Sequence, residues 1–164
     1  MGSDHAGLDL KRAVAVWLAK HGHEPVDHGP DAYDPDDDYP PYCLAAAAAT
    51  VADPGSLGVV IGGSGNGEAI AANKVPGVRC ALAYSDDTAR LGREHNDATV
   101  LSLGARMYDE ATALRYLAVF VSTPFSLGER HVRRIGMLTD YERTRELPSL
   151  PVPGLPSAPP PVGI

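Results

Sequence analysis

The chain has 164 residues, 44% of them hydrophobic and 21% charged, which is enough to bury a core without disulfides or metals. Its formal net charge of −7 argues against nucleic acid or an anionic membrane as a partner, although a local arginine cluster could still bind a small anion. No apolar run approaches the ~20 residues of a membrane span, and the amino terminus lacks the pattern of a signal peptide, so we expect a cytoplasmic protein.

The first elements predicted along the chain are a helix, a short strand, a loop and a second helix. Apolar residues recur at helical spacing at Leu10, Val14, Trp17 and Leu18. Gly22 is placed to end this helix, and a short strand over 24–28, an acidic loop over 29–41 and a buried helix over 43–52 follow. An alternating fold would place an apolar strand before the first helix, so the first strand is predicted to be truncated.

From residue 57 onward, predicted strands and helices alternate. The strands cover 57–61, 78–83 and 99–103, and the helices cover 68–74, 85–95, 109–121 and 128–145. Ser85 is placed to cap its helix, with Asp86 and Asp87 at the positive end of the helix dipole. This order predicts a parallel sheet covered by helices on both faces, and such sheets bind ligands at the carboxyl ends of their strands.

A glycine-rich turn over residues 62–67 joins a predicted strand to a predicted helix, where backbone N–H groups can hold negative charge. A phosphate-binding P-loop would end in Gly-Lys-Ser/Thr, whereas here Gly67 is followed by Glu68; the glycine spacing is also one position short of a dinucleotide fingerprint. A third use is an oxyanion cradle, with Ser64 as a further donor and Glu68 as an adjacent base. A plain strand–helix connection with a solvated Glu68 is the alternative that these residues leave open.

Seven short motifs run through the chain, and each alone would be weakly specific. They are Ser3-Asp4-His5-Ala6-Gly7, Asp38-Tyr39-Pro40, the glycine-rich turn, Ile70-Ala71-Ala72-Asn73-Lys74, Glu94-His95-Asn96-Asp97-Ala98, Leu103-Gly104-Ala105-Arg106 and the cluster Arg130-His131-Arg133-Arg134. In this order they resemble the RpiB-type ribose-5-phosphate isomerase family, which also includes galactose-6-phosphate isomerase subunits. The resemblance covers residues 2–146.

The resemblance implies a Rossmann-like three-layer α/β sandwich, active as a homodimer or homotetramer with shared sites and without metal or cofactor. We therefore expect a sugar-phosphate isomerase domain over 1–146. The last 17 residues hold seven prolines and almost no charge, so a proline-rich disordered tail is expected over 147–164.

The activity implied by the resemblance is interconversion of D-ribose 5-phosphate and D-ribulose 5-phosphate through an enediolate, with Glu68 as general base. Other family members use a cysteine at the position of Gly62; because this chain has glycine there, it resembles the glutamate subtype. An ordinary glutamate, with a pKa near ~4.3, is a weak base, so we expect desolvation to raise the pKa of Glu68.

The resemblance also implies roles for other motif residues. The predicted catalytic residues are Glu68, Ser64, Asp4, His5 and His95. The predicted substrate-binding residues are Gly63, Gly65, Asn66, Gly67, Asn96, Arg106, Arg130, His131, Arg134 and Tyr39. Asp4 and His5 would assist opening of the sugar ring, and His95 would share that work in some members. Arg130 and Arg134 are four residues apart, so they share a helix face and could clamp a phosphate of the neighbouring subunit's site.

Simpler interpretations stay open for several of these residues. Asp4 could be a capping residue, His95 an ordinary histidine at a helix end, and the arginine-rich helix a solvated face. The function has alternatives as well: the same chemistry on a four- or six-carbon sugar phosphate, a sugar-phosphate-binding protein without turnover, or, on the glycine turn alone, a nucleotide-binding regulator.

No metal site is predicted. His21, His23 and His28 flank a helix end and a short strand, and Asp36, Asp37 and Asp38 lack calcium-loop spacing, so the acidic run is interpreted as loop solvation. Cys43 and Cys80 have no paired spacing and are predicted to be small core residues.

Overall fold

Four parallel strands form the sheet of the first of two compact units. The computed structural model describes residues 1–150; the first unit is Met1–Phe125, and the second begins at Ser126. The strands are β1 (Gly2–Ser3), β2 (Gly58–Gly62), β3 (Cys80–Leu82) and β4 (Val100–Gly104), in the spatial order β1-β2-β4-β3.

Helices cover both faces of this sheet. They are α1 (Leu8–Lys20), α2 (Tyr39–Ala52), α3 (Asn66–Ala72), α4 (Asp86–Asn96) and α5 (Glu110–Ser122). The helices α1, α4 and α5 pack on one face, and α2 and α3 pack on the other. Val59 and Ile61 of β2 join the first cluster and Val60 joins the second, because successive side chains of a strand point to opposite faces. The predicted three-layer α/β sandwich with a parallel sheet is confirmed.

The beginning of the chain differs from the prediction in one element. The first strand is short, as predicted, and β1 pairs only two residues with β2. The strand predicted over 24–28 is instead an irregular segment, although the His28 N–H donates to the Met1 carbonyl at 2.8 Å and the Ser3 N–H donates to the Gly29 carbonyl at 3.2 Å. A two-residue neighbour offers too few partners for a ladder, and Pro25 has no N–H to extend one.

The second unit contains α6 (Glu129–Thr144), and the residue that follows this helix, Arg145, has the left-handed conformation. Met137, Leu138 and Tyr141 of α6 are exposed. Of the tail predicted over 147–164, residues 151–164 lie outside the described residues. Within residues 1–150, no helix has both the length and the apolar character needed to cross a bilayer.

Candidate active site

Three loops meet at the carboxyl edge of the sheet, where a ligand site is expected for this architecture. They follow β1, β2 and β4. The Ala105 N–H donates to the Gly62 carbonyl at 2.8 Å, and the Arg106 N–H donates to the Gly63 carbonyl at 3.0 Å. On the other side, Gly7 approaches Ile61 closely: a Cβ on Gly7 would lie 2.5 Å from the carbonyl oxygen of Ile61. The motifs after these strands therefore share one site.

The glycine-rich turn has a conformation that requires its glycines. Gly65 has φ +81°, and its carbonyl accepts a 2.6 Å hydrogen bond from the buried Ser102 hydroxyl of β4. A Cβ at Gly67 would lie 2.7 Å from Cζ of Tyr39, so the Tyr39 ring packs directly against the turn. Sequence reasoning missed Ser102, although a polar residue inside an apolar strand was a signal that it bonds to something.

Glu68 lies in the first turn of α3 and is only 4% exposed. Its carboxylate occupies the space beside Gly62: a Cβ at Gly62 would overlap Oε1 and Cδ of Glu68 and would lie 2.9 Å from its Cγ. Among the described residues, none bonds to Glu68 Oε2. The interpretation of Glu68 as a solvated residue is therefore wrong.

Burial raises the pKa of the Glu68 carboxyl, as predicted, and the nearby charge of Asp4 raises that pKa further. The backbone N–H groups of Glu68 and Gly65 act in the opposite direction. The result is a carboxylate that holds a proton more readily than an exposed glutamate, which is what a general base near neutral pH needs.

Asp4 and His5 follow β1 directly. Asp4 is 8% exposed, and its Oδ1 accepts hydrogen bonds from the Ala6 N–H at 2.9 Å and the Gly7 N–H at 3.2 Å. Asp4 therefore caps the turn into α1 while its charge acts on Glu68. Both the capping interpretation and a place in the site fit this residue.

His5 has a partner that sequence reasoning missed. Its Nδ1 lies 2.7 Å from Asp37 Oδ1, and its backbone N–H donates to the same oxygen at 2.9 Å. The Asp37 side chain is 6% exposed, so its interpretation as part of a solvated acidic loop is wrong. No spacing rule signalled the contact, because the two residues are 32 positions apart.

Ser64, Asn66 and Arg106 form the exposed mouth of the site. The Ser64 hydroxyl accepts 3.3 Å hydrogen bonds from the backbone N–H and the side-chain amide of Asn66. The Arg106 side chain lies over Gly63, with Cδ and Nη1 each 3.6 Å from where a Cβ would be. Polar groups and one positive charge therefore lie at the exposed surface of the glycine-rich turn, whose helix carries Glu68.

His95 and Asn96 lie at the opposite edge of the sheet. They end α4, and Asn96 offers its carbonyl to Arg79 Nε at 2.8 Å, just before β3 begins. The five-residue strand β4 then runs back to the carboxyl edge, a distance of about 13 Å. Within one chain, the fold does not bring these two predicted site residues to Glu68.

The predicted residues of α6 belong to the second unit. Arg130 and Arg134 are exposed and four residues apart on this helix. His131 is buried; its Nδ1 lies 2.9 Å from the Ser126 hydroxyl, and its Nε2 accepts from Arg130 Nε at 2.9 Å.

The remaining metal and thiol candidates have no catalytic geometry. Within residues 1–150, no three or more His, Cys, Asp or Glu side chains are grouped as a metal site would require. Burial raises the pKa of Cys43 and of Cys80 to about 12, so neither thiol ionises readily near neutral pH.

Comparison with known proteins decides the family. The family described as Ribose/Galactose Isomerase matches residues 1–138. The chain belongs to this family. Ribose-5-phosphate isomerase B of Mycobacterium tuberculosis (strain ATCC 25618 / H37Rv) is 59% identical over 157 residues, which is 96% of each chain. The putative sugar phosphate isomerase YwlF of Bacillus subtilis (strain 168) is 36% identical over 142 residues, 87% of this chain and 95% of that protein.

Solved structures of the isomerase family share the fold. Ribose-5-phosphate isomerase B from Mycoplasma genitalium, solved with bound ribulose-5-phosphate, superposes with a TM-score of 0.83 at 38% identity, covering 87% of this chain and 93% of that chain. Ribose-5-phosphate isomerase B from Clostridium thermocellum superposes with a TM-score of 0.84 at 40% identity, and the superposition covers 88% of this chain and 97% of that chain. The family match over residues 1–138 includes the three loops that form the candidate site.

Proposed function

We propose that the protein is an aldose–ketose isomerase that interconverts ribose 5-phosphate and ribulose 5-phosphate, with Glu68 as the general base. The single observation that carries this proposal is the buried Glu68 carboxylate beside the glycine-rich turn, with one oxygen unpartnered among the described residues. Family membership supports it, as do a 59% identical relative that is a ribose-5-phosphate isomerase B and a related isomerase structure that contains ribulose-5-phosphate. The expected cytoplasmic location fits this role and stays a prediction.

The chemistry follows from these positions. Glu68 removes the proton from C2 of the open-chain aldose, and the electron pair of that C–H bond moves to the carbonyl oxygen at C1. Main-chain donors of the turn, with Ser64, hold the resulting enediolate oxygens. Glu68 then returns the proton to C1, the C2–O2 bond becomes double, and the proton of the O2 hydroxyl passes to O1, which gives the ketose. The aldose and the ketose are isomers, so the reaction needs no external oxidant or reductant.

A complete site is proposed to need a second copy of the chain. His95 and Asn96 lie at the amino edge of the sheet, so they can contact a substrate at Glu68 only if a neighbouring chain presents them. Arg130 and Arg134, exposed on one helix, are proposed to bind the phosphate in the same shared arrangement. The exposed apolar side chains of α6 offer a surface for such an assembly.

Turnover of ribose 5-phosphate in the presence of a chelator tests the function. The purified protein is expected to form the ketose, and Glu68→Gln is expected to lose activity by about 10²-fold or more. Glu24→Gln, which alters an exposed glutamate, serves as the matched control. Four- and six-carbon sugar phosphates, run in parallel, test the alternative substrates. Binding of ribose 5-phosphate without any turnover would instead favour a non-catalytic binding protein.

Mixed protomers test the shared site. Glu68→Gln and Arg134→Ala chains are each expected to be inactive alone. After random reassociation, about a quarter of the sites in dimers should contain both native residues and regain activity. Absence of any recovery in a verified mixed dimer would argue that both residues act within one chain.

A further inference from the structure

A cavity of about 670 Å³ lies at the amino edge of the sheet, at the opposite end of the strands from the candidate active site. Leu18 and Phe120, from the helices on one face of the sheet, line one side of it. Ala49 and Thr50 of α2, on the other face, line the opposite side, and Met1, directly before β1, also lines the cavity. The cavity therefore lies between the two helical layers, where a continuation of β1 toward the amino edge would run.

One wall of the cavity is a stretch of backbone that already pairs with Met1. The Met1 amino group donates to the Val26 carbonyl at 2.6 Å, and the His28 N–H donates to the Met1 carbonyl at 2.8 Å. These two bonds lie on either side of Asp27, which is the pattern of a parallel strand pair. In the same register, the second position before Met1 would donate to the Glu24 carbonyl and accept from the Val26 N–H.

The opposite wall is the amino end of β2, whose pairing with β1 begins only at Val60. The Gly58 N–H donates to the Thr99 carbonyl at 2.8 Å, on the β4 side. Successive N–H groups of a strand point to opposite sides, so the N–H of the buried Val59 points to the β1 side. In the register of β1, the acceptor for this N–H is the carbonyl of the first position before Met1. Both walls thus present backbone groups spaced for one extended strand.

We propose that the cavity is a slot for one extended chain segment, joined to Met1 by a peptide bond and continuing β1 toward the amino edge. Such a segment bonds to β2 on one side and to residues 24–26 on the other, whereas a small apolar molecule would leave these backbone groups without partners. The missing N–H of Pro25 is no obstacle, because in this register that position faces away from the slot. Burial lowers the pKa of the Met1 amino group, and a peptide bond there replaces a poorly solvated charge with a neutral amide.

The walls also define which side chains the segment needs. Met1 belongs to the core cluster that contains Leu18 and Phe120, so the second position before it points the same way and favours a large apolar side chain. Gly2 points to α2, where a Cβ would lie 3.3 Å from the Cβ of Ala46. The first position before Met1 points there as well and favours a small side chain. The slot therefore fits isoleucine followed by alanine, and not the reverse order.

The full chain with Met-Lys-Ile-Ala added before Met1 tests the proposal, and the chain with Met-Lys-Ala-Ile added is the matched control of equal composition. The first addition should raise the melting temperature by about 5 °C or more over the unextended chain, because it buries an isoleucine side chain. The control should give less than about half of that gain, since the reversed order exchanges the faces of the two side chains.

Hydrogen exchange followed by NMR shows where the segment lies. The Val26 and Val59 N–H groups should exchange at least about tenfold more slowly in the Met-Lys-Ile-Ala protein than in the unextended chain. The Thr112 N–H, bonded to Asp109 at the start of α5, should change by less than about twofold. The proposal is overturned if the two extensions stabilise equally, if neither does, or if exchange at Val26 and Val59 is unchanged. Slow exchange at Val26 in the unextended chain would show that a second copy already covers the slot, and would overturn the proposal as well.

Discussion

Adding a single methyl group at Gly62 should separate activity from stability. In Gly62→Ala, the new Cβ would overlap the Glu68 carboxylate, which must retreat by more than about 1 Å to restore van der Waals separation. Because Glu68 ends in a flexible side chain, we expect a stability cost of only about 1 kcal/mol, the low end for overpacking. A base displaced by about 1 Å should cost about 10²-fold in kcat, or about 2.7 kcal/mol of transition-state stabilisation.

Gly58→Ala is the matched control in the same strand. Its Cβ would lie 2.5 Å from Thr50 Oγ1 and 3.1 Å from Val100 Cγ2, at the end of β2 remote from Glu68. This variant should unfold at a lower temperature yet keep a near-native kcat. Thermal unfolding and steady-state kinetics on ribose 5-phosphate measure the two effects. A Gly62→Ala protein with native kcat would refute the claim that the space beside Gly62 belongs to the base.

Three further predictions concern the site. Glu68→Gln should raise the melting temperature above that of the wild type, and by more at pH 8 than at pH 4. The reason is that the pKa of Glu68 is raised in the folded protein, so the wild type loses stability as the pH rises above the ordinary glutamate pKa near ~4.3. An equal difference in melting temperature at both pH values would contradict this. Ser102→Ala should lower the free energy of unfolding by about 1 kcal/mol and should also lower kcat, because the Gly65 carbonyl loses its hydrogen bond. Ser122→Ala, at the exposed end of α5, is the control in the unfolding and rate assays. Gly62→Cys with Glu68→Ala should restore part of the rate lost in Glu68→Ala, and iodoacetamide should then abolish it.

The arrangement of strands and helices was largely predictable because each element carries its own local signal. Ser85 does cap α4, with its hydroxyl accepting the Thr88 N–H at 3.1 Å, and the helix begins at Asp86, one residue after the predicted start. The start of α2 was misplaced by four residues, since Pro40 and Pro41 were assigned to a loop. Proline fits the first turn of a helix, where its missing N–H would have no partner in any case.

The candidate site was predictable only where it follows the sheet. Asp4, the glycine-rich turn and Arg106 all come directly after strands, and parallel strands bring such segments to one edge. The contact between Asp37 and His5 was not predictable, because α1 and a long irregular segment separate them along the chain and nothing in an acidic run distinguishes its buried member. His95 shows the converse: it lies in one of the motifs that carry the family resemblance, but its position at the end of α4 places it at the other edge of the sheet.

The packing around Glu68 explains why one residue can be both a stability cost and a base. Burial and the charge of Asp4 favour its protonated form, while the N–H groups of Gly65 and Glu68 favour the ionised form. These opposing effects leave a carboxylate that can ionise yet binds a proton strongly. The same close approach that desolvates Glu68 requires the absence of a side chain at Gly62, so base strength and base position depend on one contact. Any substitution that relieves the burial of Glu68 should therefore stabilise its charge and weaken it as a base.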